Sequence, residues 1–455
     1  GRLGPAIIPP TALMVPGRMP IRDARLVPIP ALTGLRFIAA ISVALAHGLD
    51  HMTTLPGAEP LWATSLIYSS AFGMSAFFVL SGFVIHYNYS DQIIEDRWRG
   101  IVNFLSARFA RLYPLYITCI ILSLYPGGYL VDLLTGTHPE FRQQFWILVP
   151  FYLTMTQSWL YLIVGSKSLI YGFPFSGVAA ISWSVSTEFF FYIAYPVICI
   201  TILRLHTARR IITAIAVVAA AALILMRLAY DYSPAIDQFG VSHFGAIAGM
   251  SYGVEDSFWR WLIYFAPYSR LPEFILGCLI AALYRQIEAR APSPSEKRGG
   301  QALIWVSMLT VAGLTLVIAQ PSNPVPFLQF LHMNFGFAIP VALLIFCLAR
   351  YRSTVSAALS SKVMVQLGDA SYSIYLMHIV IIPAAHLQVF IVGQSAAITS
   401  RALIHLGVAL LITIGLSLIT FRLIEVPARR RLRRVLTVET VASAVNSAPS
   451  FSKER

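Results

Sequence analysis

The stretch LTGLRFIAAISVALAHGLDH, residues 32–51, decides the class of fold. Between its ends it contains only two residues that carry or can acquire a positive charge, Arg36 and His47. A helix of about 20 apolar residues covers the ~30 Å hydrocarbon core of a bilayer. We therefore predict a membrane-spanning helix over residues 33–50.

Apolar runs of similar length recur along the chain. Of its 455 residues, 57% are hydrophobic and only 12% are charged, whereas a soluble domain carries about 25% charged residues. The sequence therefore predicts an all-α polytopic membrane protein of about ten transmembrane helices, with membrane lipids covering most of its surface. The nine further spans are predicted at 64–87, 110–126, 187–203, 211–229, 260–284, 302–319, 330–349, 371–391 and 403–423.

The net charge of +13 does not predict nucleic-acid binding, because the basic residues form short clusters between apolar runs. Such clusters are typical of cytoplasmic loops. With ten spans, all of them face the cytoplasm if both termini do. We expect a cytoplasmic tail over 1–30 without a cleavable signal peptide, a membrane domain over 31–430, and a basic, then disordered, cytoplasmic tail over 431–455.

Residues 145–183 do not fit this count as a single crossing, since one crossing would move Arg204–Arg210 to the outer side. Pro150, Gly172, Pro174 and Gly177 suggest a re-entrant or broken segment there. Irregular backbone at membrane depth persists only when it is buried in protein or lines a wet cavity. We therefore predict a cavity beside this segment.

The four cysteines lie in apolar runs without paired spacing, which predicts packing residues and neither a disulfide framework nor a metal site. Each apolar run concerned contains one cysteine. They are Cys119, Cys199, Cys278 and Cys347.

Arg36 and His47 are ionisable groups within the first span. On a helix they lie within about 20° of the same face and about 16 Å apart along the axis. Ionisable groups at membrane depth are costly and are therefore functional candidates. The alternative is an arginine extended to the membrane surface and a histidine satisfied by a neighbouring carbonyl.

The segment SWSVSTEFFFY, residues 182–192, places Ser184 and Glu188 on one helical face. A carboxylate that is partly removed from water suits proton transfer or the orientation of a histidine. The alternative is a helix start with serine caps and a glutamate that compensates the helix dipole.

Six further residues are candidates, and three of them have simpler alternatives. Arg108 and Arg111, in RFARLYP, could hold phosphate oxygens, although cytoplasmic location explains them equally well. Ser81, in FFVLSGF, is more typical of close helix packing. The remaining candidates are Arg270 and Glu273, inside the apolar run that contains RLPEFILG, and His378, in LGDASYSIYLMH about a third of the way into a predicted span.

Taken in order, these segments resemble the acyltransferase-3 family of bacterial membrane acyltransferases, from about Ala31 to Arg430. Arg36 and His47 match the family's motif of an arginine and a histidine separated by ten residues, and Ser184 and Glu188 match its Trp-Ser-x-Ser-x-Glu segment. FFVLSGF, RFARLYPLY, RLPEFILG, SYSIYLMH and EVPARR complete the series. The chain has Ala107 where the family often has a second arginine.

The resemblance implies transfer of an acyl group, usually acetyl, from cytoplasmic acyl-CoA to a hydroxyl of a glycan or lipid-linked saccharide. It implies a bacterial inner-membrane protein that resembles the stand-alone form, with acyl-CoA, most often acetyl-CoA, as co-substrate and no bound cofactor or metal. We expect His47 to act as general base. Glu188 would orient it, Arg36 would stabilise an oxyanion or bind donor, and Arg108 and Arg111 would bind the CoA phosphates.

Two other classes fit parts of the pattern. A transporter would also contain buried charges and a broken helix, and a membrane glycosyltransferase would place acidic residues in the first outer loop. Neither requires Arg36 and His47 together with Ser184 and Glu188. From the predicted depths, we also expect His47 and Glu188 to line one shared pocket.

Overall fold

The computed structural model describes residues 28–52, 60–124, 129–172, 181–320, 325–384 and 400–436, and they are almost entirely helical. The helices are α1 (Pro30–Asp50), α2 (Leu61–Glu95), α3 (Arg97–Leu122), α4 (Tyr129–Thr135), α5 (Pro139–Leu153), α6 (Trp183–Leu203), α7 (Ala208–Asp231), α8 (Ser233–Phe244), α9 (Pro267–Ile287), α10 (Pro294–Ile318), α11 (Pro326–Leu331), α12 (Ala338–Arg350), α13 (Thr354–Leu359), α14 (Lys362–Asp369), α15 (Ser371–Ala384), α16 (Ser400–Thr420) and α17 (Val426–Leu436). Short π-helices, Trp261–Phe265 and Phe421–Glu425, precede α9 and α17.

The helices divide into a buried centre and a lipid-facing rim. In both α1 and α2, 61% of the 18-residue apolar stretch is buried inside the protein, whereas the corresponding share is 17% in α7 and 22% in α10. An exposed Leu225 on α7 and an exposed Leu411 on α16 are costly in water but not in lipid. The predicted polytopic all-α membrane protein is confirmed.

Close backbone approach between α2 and α9 depends on two glycines. A Cβ added at Gly82 would lie 2.1 Å from the carbonyl oxygen of Phe274, and one added at Gly277 would lie 2.0 Å from that of Val79. Small residues at such crossings allow apolar helices to associate by close packing within a membrane. The two helices that frame the centre of the protein are thereby fixed side by side.

Eight of the ten predicted spans correspond to helices that are long and apolar enough to cross. Seven of these are single helices, and the eighth is the pair α14 and α15, bent by 65°. The other two predicted spans differ. Helix α9 contains Arg270, Glu273 and Arg285, and α12 has only 13 residues, or about 20 Å of helix.

The segment predicted to be broken, 145–183, is not a continuous helix in its described part. Helix α5 ends at Leu153, turns follow, and β1 (Ile163–Val164) pairs antiparallel with β2 (Lys167–Ser168). Asp256 holds this hairpin, because its carboxylate accepts hydrogen bonds from the backbone N–H and the hydroxyl of Ser168 at 2.9 and 2.7 Å. The bend between α14 and α15 was not predicted.

Two predicted tails lie mostly outside the described residues, namely 1–27 of the first and 437–455 of the second. The described part of the basic stretch is helical, since α17 extends to Leu436. All four cysteines are buried with free thiols.

Candidate active site

A pocket of about 690 Å³ lies among α1, α2, α3, α6 and α15. Its polar lining contains six of the residues singled out in the sequence, and we call it the arginine pocket: Arg36, Ser81, Arg108, Arg111, Ser184 and Glu188. Three arginines face a single carboxylate here. The pocket therefore suits an anionic ligand.

Glu188 is held by two hydroxyls. Its Oε1 accepts a hydrogen bond from Ser81 Oγ at 3.0 Å and another from the Tyr192 hydroxyl at 2.5 Å. Tyr192 lies one helical turn beyond Glu188 on α6, whereas Ser81 comes from α2. The functional candidate Ser81 therefore contacts the motif glutamate directly, as well as lying in a closely packed helix.

Arg108 is buried between two aromatic rings. Its guanidinium carbon lies 4.5 Å from the centroid of Tyr89 and 5.9 Å from that of Tyr192. Such stacking fixes the plane of a guanidinium while leaving its edge free for oxygen ligands. Arg111 lines the same pocket from one helical turn further along α3.

A second, larger cavity of about 2190 Å³ contains His47, and we call it the histidine cavity. Its ionisable lining is His47, Asp50, His51, Glu255, Arg260 and His332. Tyr171, Ile181 and Trp183 also line it. A cavity is therefore present beside the segment where one was predicted.

His47 is paired with His378. Its Nδ1 lies 2.9 Å from His378 Nε2, and the two ring planes differ by 8°. His378 is fully buried on α15, so it lies behind His47. Nε2 of His47 is not used in this contact, and the His47 side chain lines the cavity.

The two pockets lie one above the other along the helix axes. On α1, Arg36 lines the arginine pocket and His47 the histidine cavity. On α6, Glu188 lines the former, and Trp183, at the start of the same helix, lines the latter. The separation of Arg36 and His47 by about 16 Å of helix rise sets this arrangement.

Met74 and Tyr375 line both pockets. The hydroxyl of Tyr375 lies 2.7 Å from Ser184 Oγ and donates to the carbonyl of Ile181 at 3.0 Å. Ser184 is therefore tied to the boundary between the pockets, and we call Met74 and Tyr375 the boundary pair.

The expectation that His47 and Glu188 line one pocket is wrong. Glu188 lies in the arginine pocket and His47 in the histidine cavity, and the histidine's partner is His378. The positions of His47 and Glu188 in their predicted spans put both residues at the same depth in the membrane. In the folded protein they line different pockets, which share Met74 and Tyr375.

Arg270 and Glu273 line neither of these two pockets. They form a buried ion pair of 3.3 Å. Arg270 also donates to the carbonyls of Tyr264 and Met333, and Glu273 accepts from Ser75 Oγ at 2.5 Å. These contacts connect α9 to α2 and to the loop after α11, so the pair has a structural role in holding the helices together.

Sequence reasoning missed several residues of the site: Met74, Tyr375 and His51, which line the pockets, and Tyr192, which contacts Glu188. Tyr375 lies three residues before His378, and Tyr192 lies four after Glu188, so helical spacing placed both on the candidate faces. His51 similarly follows His47 by four residues. Met74 carries no comparable indication, because an apolar residue in an apolar helix gives no sign of which neighbour it meets.

The chain belongs to the acyltransferase-3 family: the family's acyltransferase domain matches residues 29–422. It is therefore a multi-pass membrane acyltransferase. Membership in this enzyme family decides against the transporter and glycosyltransferase alternatives.

Two relatives illustrate the range of the family. The chain is 28% identical over 448 residues to acyltransferase MdmB of Streptomyces mycarofaciens, covering 94% of this chain and 99% of that protein. It is 24% identical over 417 residues to O-acetyltransferase OatA of Staphylococcus aureus, covering 89% of this chain but 57% of that protein. No solved structure matches the chain.

Proposed function

We propose that the protein transfers an acyl group, most often acetyl, from cytoplasmic acyl-CoA to a hydroxyl of a glycan or glycosylated acceptor. One observation carries this proposal. A pocket with three arginines and a cavity with a paired histidine adjoin at Met74 and Tyr375. A donor and an acceptor can approach each other from opposite sides of that boundary.

The arginine pocket suits the donor. Arg36, Arg108 and Arg111 bind the phosphates of CoA, and the thioester extends toward the boundary pair. Guanidinium groups bind phosphate oxygens through paired hydrogen bonds. On α2 the residues of the arginine pocket lie nearer to the basic residue Arg97 than those of the histidine cavity do, and on α6 Glu188 lies nearer to Arg204 than Trp183 does. The positive-inside rule assigns these basic ends to the cytoplasm.

The histidine cavity suits the acceptor. When His47 Nδ1 carries its proton and donates to His378 Nε2, Nε2 of His47 keeps its lone pair for an acceptor hydroxyl. A base placed in this way contributes about 10²–10⁴ in rate. His378 acts through His47, by fixing its tautomer and ring orientation.

The reaction then balances without another reactant. The acceptor oxygen attacks the thioester carbonyl carbon while His47 takes the hydroxyl proton. The tetrahedral intermediate collapses, the carbon–sulfur bond breaks, and His47 returns the proton to the departing CoA sulfur. The products are an ester and CoA. Arg36 binds the donor, because it lines the arginine pocket and lies about 16 Å of helix rise from His47.

The test uses membranes from bacterial cells that lack the native gene and produce this protein. They are incubated with acetyl-CoA that carries a radiolabelled acetyl group, and membranes without the protein serve as the control. We expect label in glycan or glycolipid material that mild alkali releases as acetate, as an ester requires. Label that resists alkali would contradict ester formation, and no transferred label would contradict the assigned donor.

A further inference from the structure

We propose that the boundary pair, Met74 and Tyr375, sets the length of the acyl group that the enzyme transfers. The inference rests on the proposed function and deepens it, since it assigns the residues that select among acyl donors. Met74 and Tyr375 lie between the site of the donor phosphates and that of the acceptor hydroxyl. The acyl carbon must reach this boundary for the two substrates to react.

Tyr375 is the fixed side of the boundary. Its side chain is 6% exposed, and its hydroxyl contacts both Ser184 Oγ and the carbonyl of Ile181. Its ring also meets Phe77 edge-on, with centroids 5.8 Å apart. A tyrosine restrained at its hydroxyl and at its ring cannot move aside without losing these contacts.

Met74 is the adjustable side. It is 3% exposed and has an unbranched side chain with three rotatable bonds, which adapts to irregular space. The backbone beside it has little freedom, because a Cβ added at Gly73 would lie 2.7 Å from the carbonyl oxygen of Ala39 on α1. The volume at this point therefore depends on the side chain at position 74.

The wall of the arginine pocket next to the boundary is apolar. Met74 and Phe77 of α2 line it together with Phe78, and Val185 lines it from α6. An acyl chain lying against this wall is removed from water, and its length is limited by Met74 and Tyr375. One methylene too many in such a pocket costs about 10–200-fold in kcat/KM.

The experiment compares Met74→Ala with the wild-type protein. Membranes receive an equimolar mixture of acetyl-, butyryl- and hexanoyl-CoA, and the alkali-released acids are quantified. We expect wild type to favour acetyl, and Met74→Ala to raise the hexanoyl-to-acetyl ratio about 10-fold. Met74→Phe places a bulkier and more rigid side chain at the boundary, so it should lower the butyryl-to-acetyl ratio instead.

Met377→Ala is the matched control, since Met377 is a buried methionine on α15 that lines neither pocket. Its acyl ratios should equal those of wild type. If Met74→Ala reduces transfer of all three acyl groups equally, or if Met377→Ala changes the ratios equally, the length-selecting role is wrong while the proposed function stands. If wild type transfers none of the three groups, both fail.

Discussion

The arginine pocket and the histidine cavity differ in charge, in size and in the origin of their lining. In the arginine pocket, three arginines face one glutamate, all from the long helices α1, α3 and α6. In the histidine cavity, one arginine faces Asp50 and Glu255, and part of the lining, including Tyr171, Glu255 and His332, comes from segments between helices. A long helix fixes charge at a set depth, whereas connecting segments build a larger and more variable space.

This difference suggests a division of labour. The small, cationic pocket suits a donor that is the same for every turnover, and the large mixed cavity suits an acceptor of varied shape. His47 belongs to α1, which is one of the helices that line both pockets. Changes in the two regions should therefore affect different steps.

The largest expected effect concerns the side of the membrane that each pocket faces. Reporter fusions at Arg209 and Arg298 should report cytoplasm, and a fusion at Asp237 should report the outer side, because basic loops are retained inside. The measurement is reporter activity in intact cells. A cytoplasmic signal at Asp237 would contradict this assignment, since it would place the histidine cavity, and not the arginine pocket, toward the cytoplasmic donor.

His47→Ala should lower kcat for acyl transfer about 10²–10⁴-fold, because it removes the general base. The KM for acyl-CoA should stay near wild type, since the donor binds in the other pocket. His243→Ala, at an exposed histidine on α8, is the control and should keep full activity. Wild-type kcat in His47→Ala would exclude the histidine cavity as the site of chemistry.

His378→Phe should lower kcat about 10–100-fold through loss of the hydrogen bond that orients His47. Because His378 acts by positioning, the KM for acyl-CoA should not change. His378→Gln, which keeps a hydrogen-bonding group, should recover part of the rate. Equal losses in His378→Phe and His378→Gln, with lowered thermal stability in both, would instead indicate a packing role.

Arg111→Gln should raise the KM for acyl-CoA about 10-fold with little change in kcat, because a charge-assisted hydrogen bond to phosphate contributes about 1.5–3 kcal/mol. Arg209→Gln, at an exposed arginine of a predicted cytoplasmic cluster, controls for general positive charge. Equal KM changes in both variants would mean that the donor is attracted by the basic surface and not bound in the pocket.

The polar candidates were predictable from the sequence because polar residues are conspicuous in apolar helices. Arg36, Ser184 and Glu188 lie in one pocket, and His47 lies in the adjoining cavity. The predicted Glu188–His47 pairing failed because sequence gives depth along each helix only approximately. The shift of one helix against another is set by packing between helices, which the sequence of a single helix does not specify.

By itself, the sequence determined that this protein spans a membrane as an all-α bundle, since apolar run length and the scarcity of charge allow little else. It also determined which residues share a helical face. Only the tertiary structure decided that His47 pairs with a histidine 331 residues away, that Ser81 contacts Glu188, and that Met74 and Tyr375 separate two pockets. Those contacts join different helices, and helical periodicity specifies neighbours within one helix but not the partner across the interface.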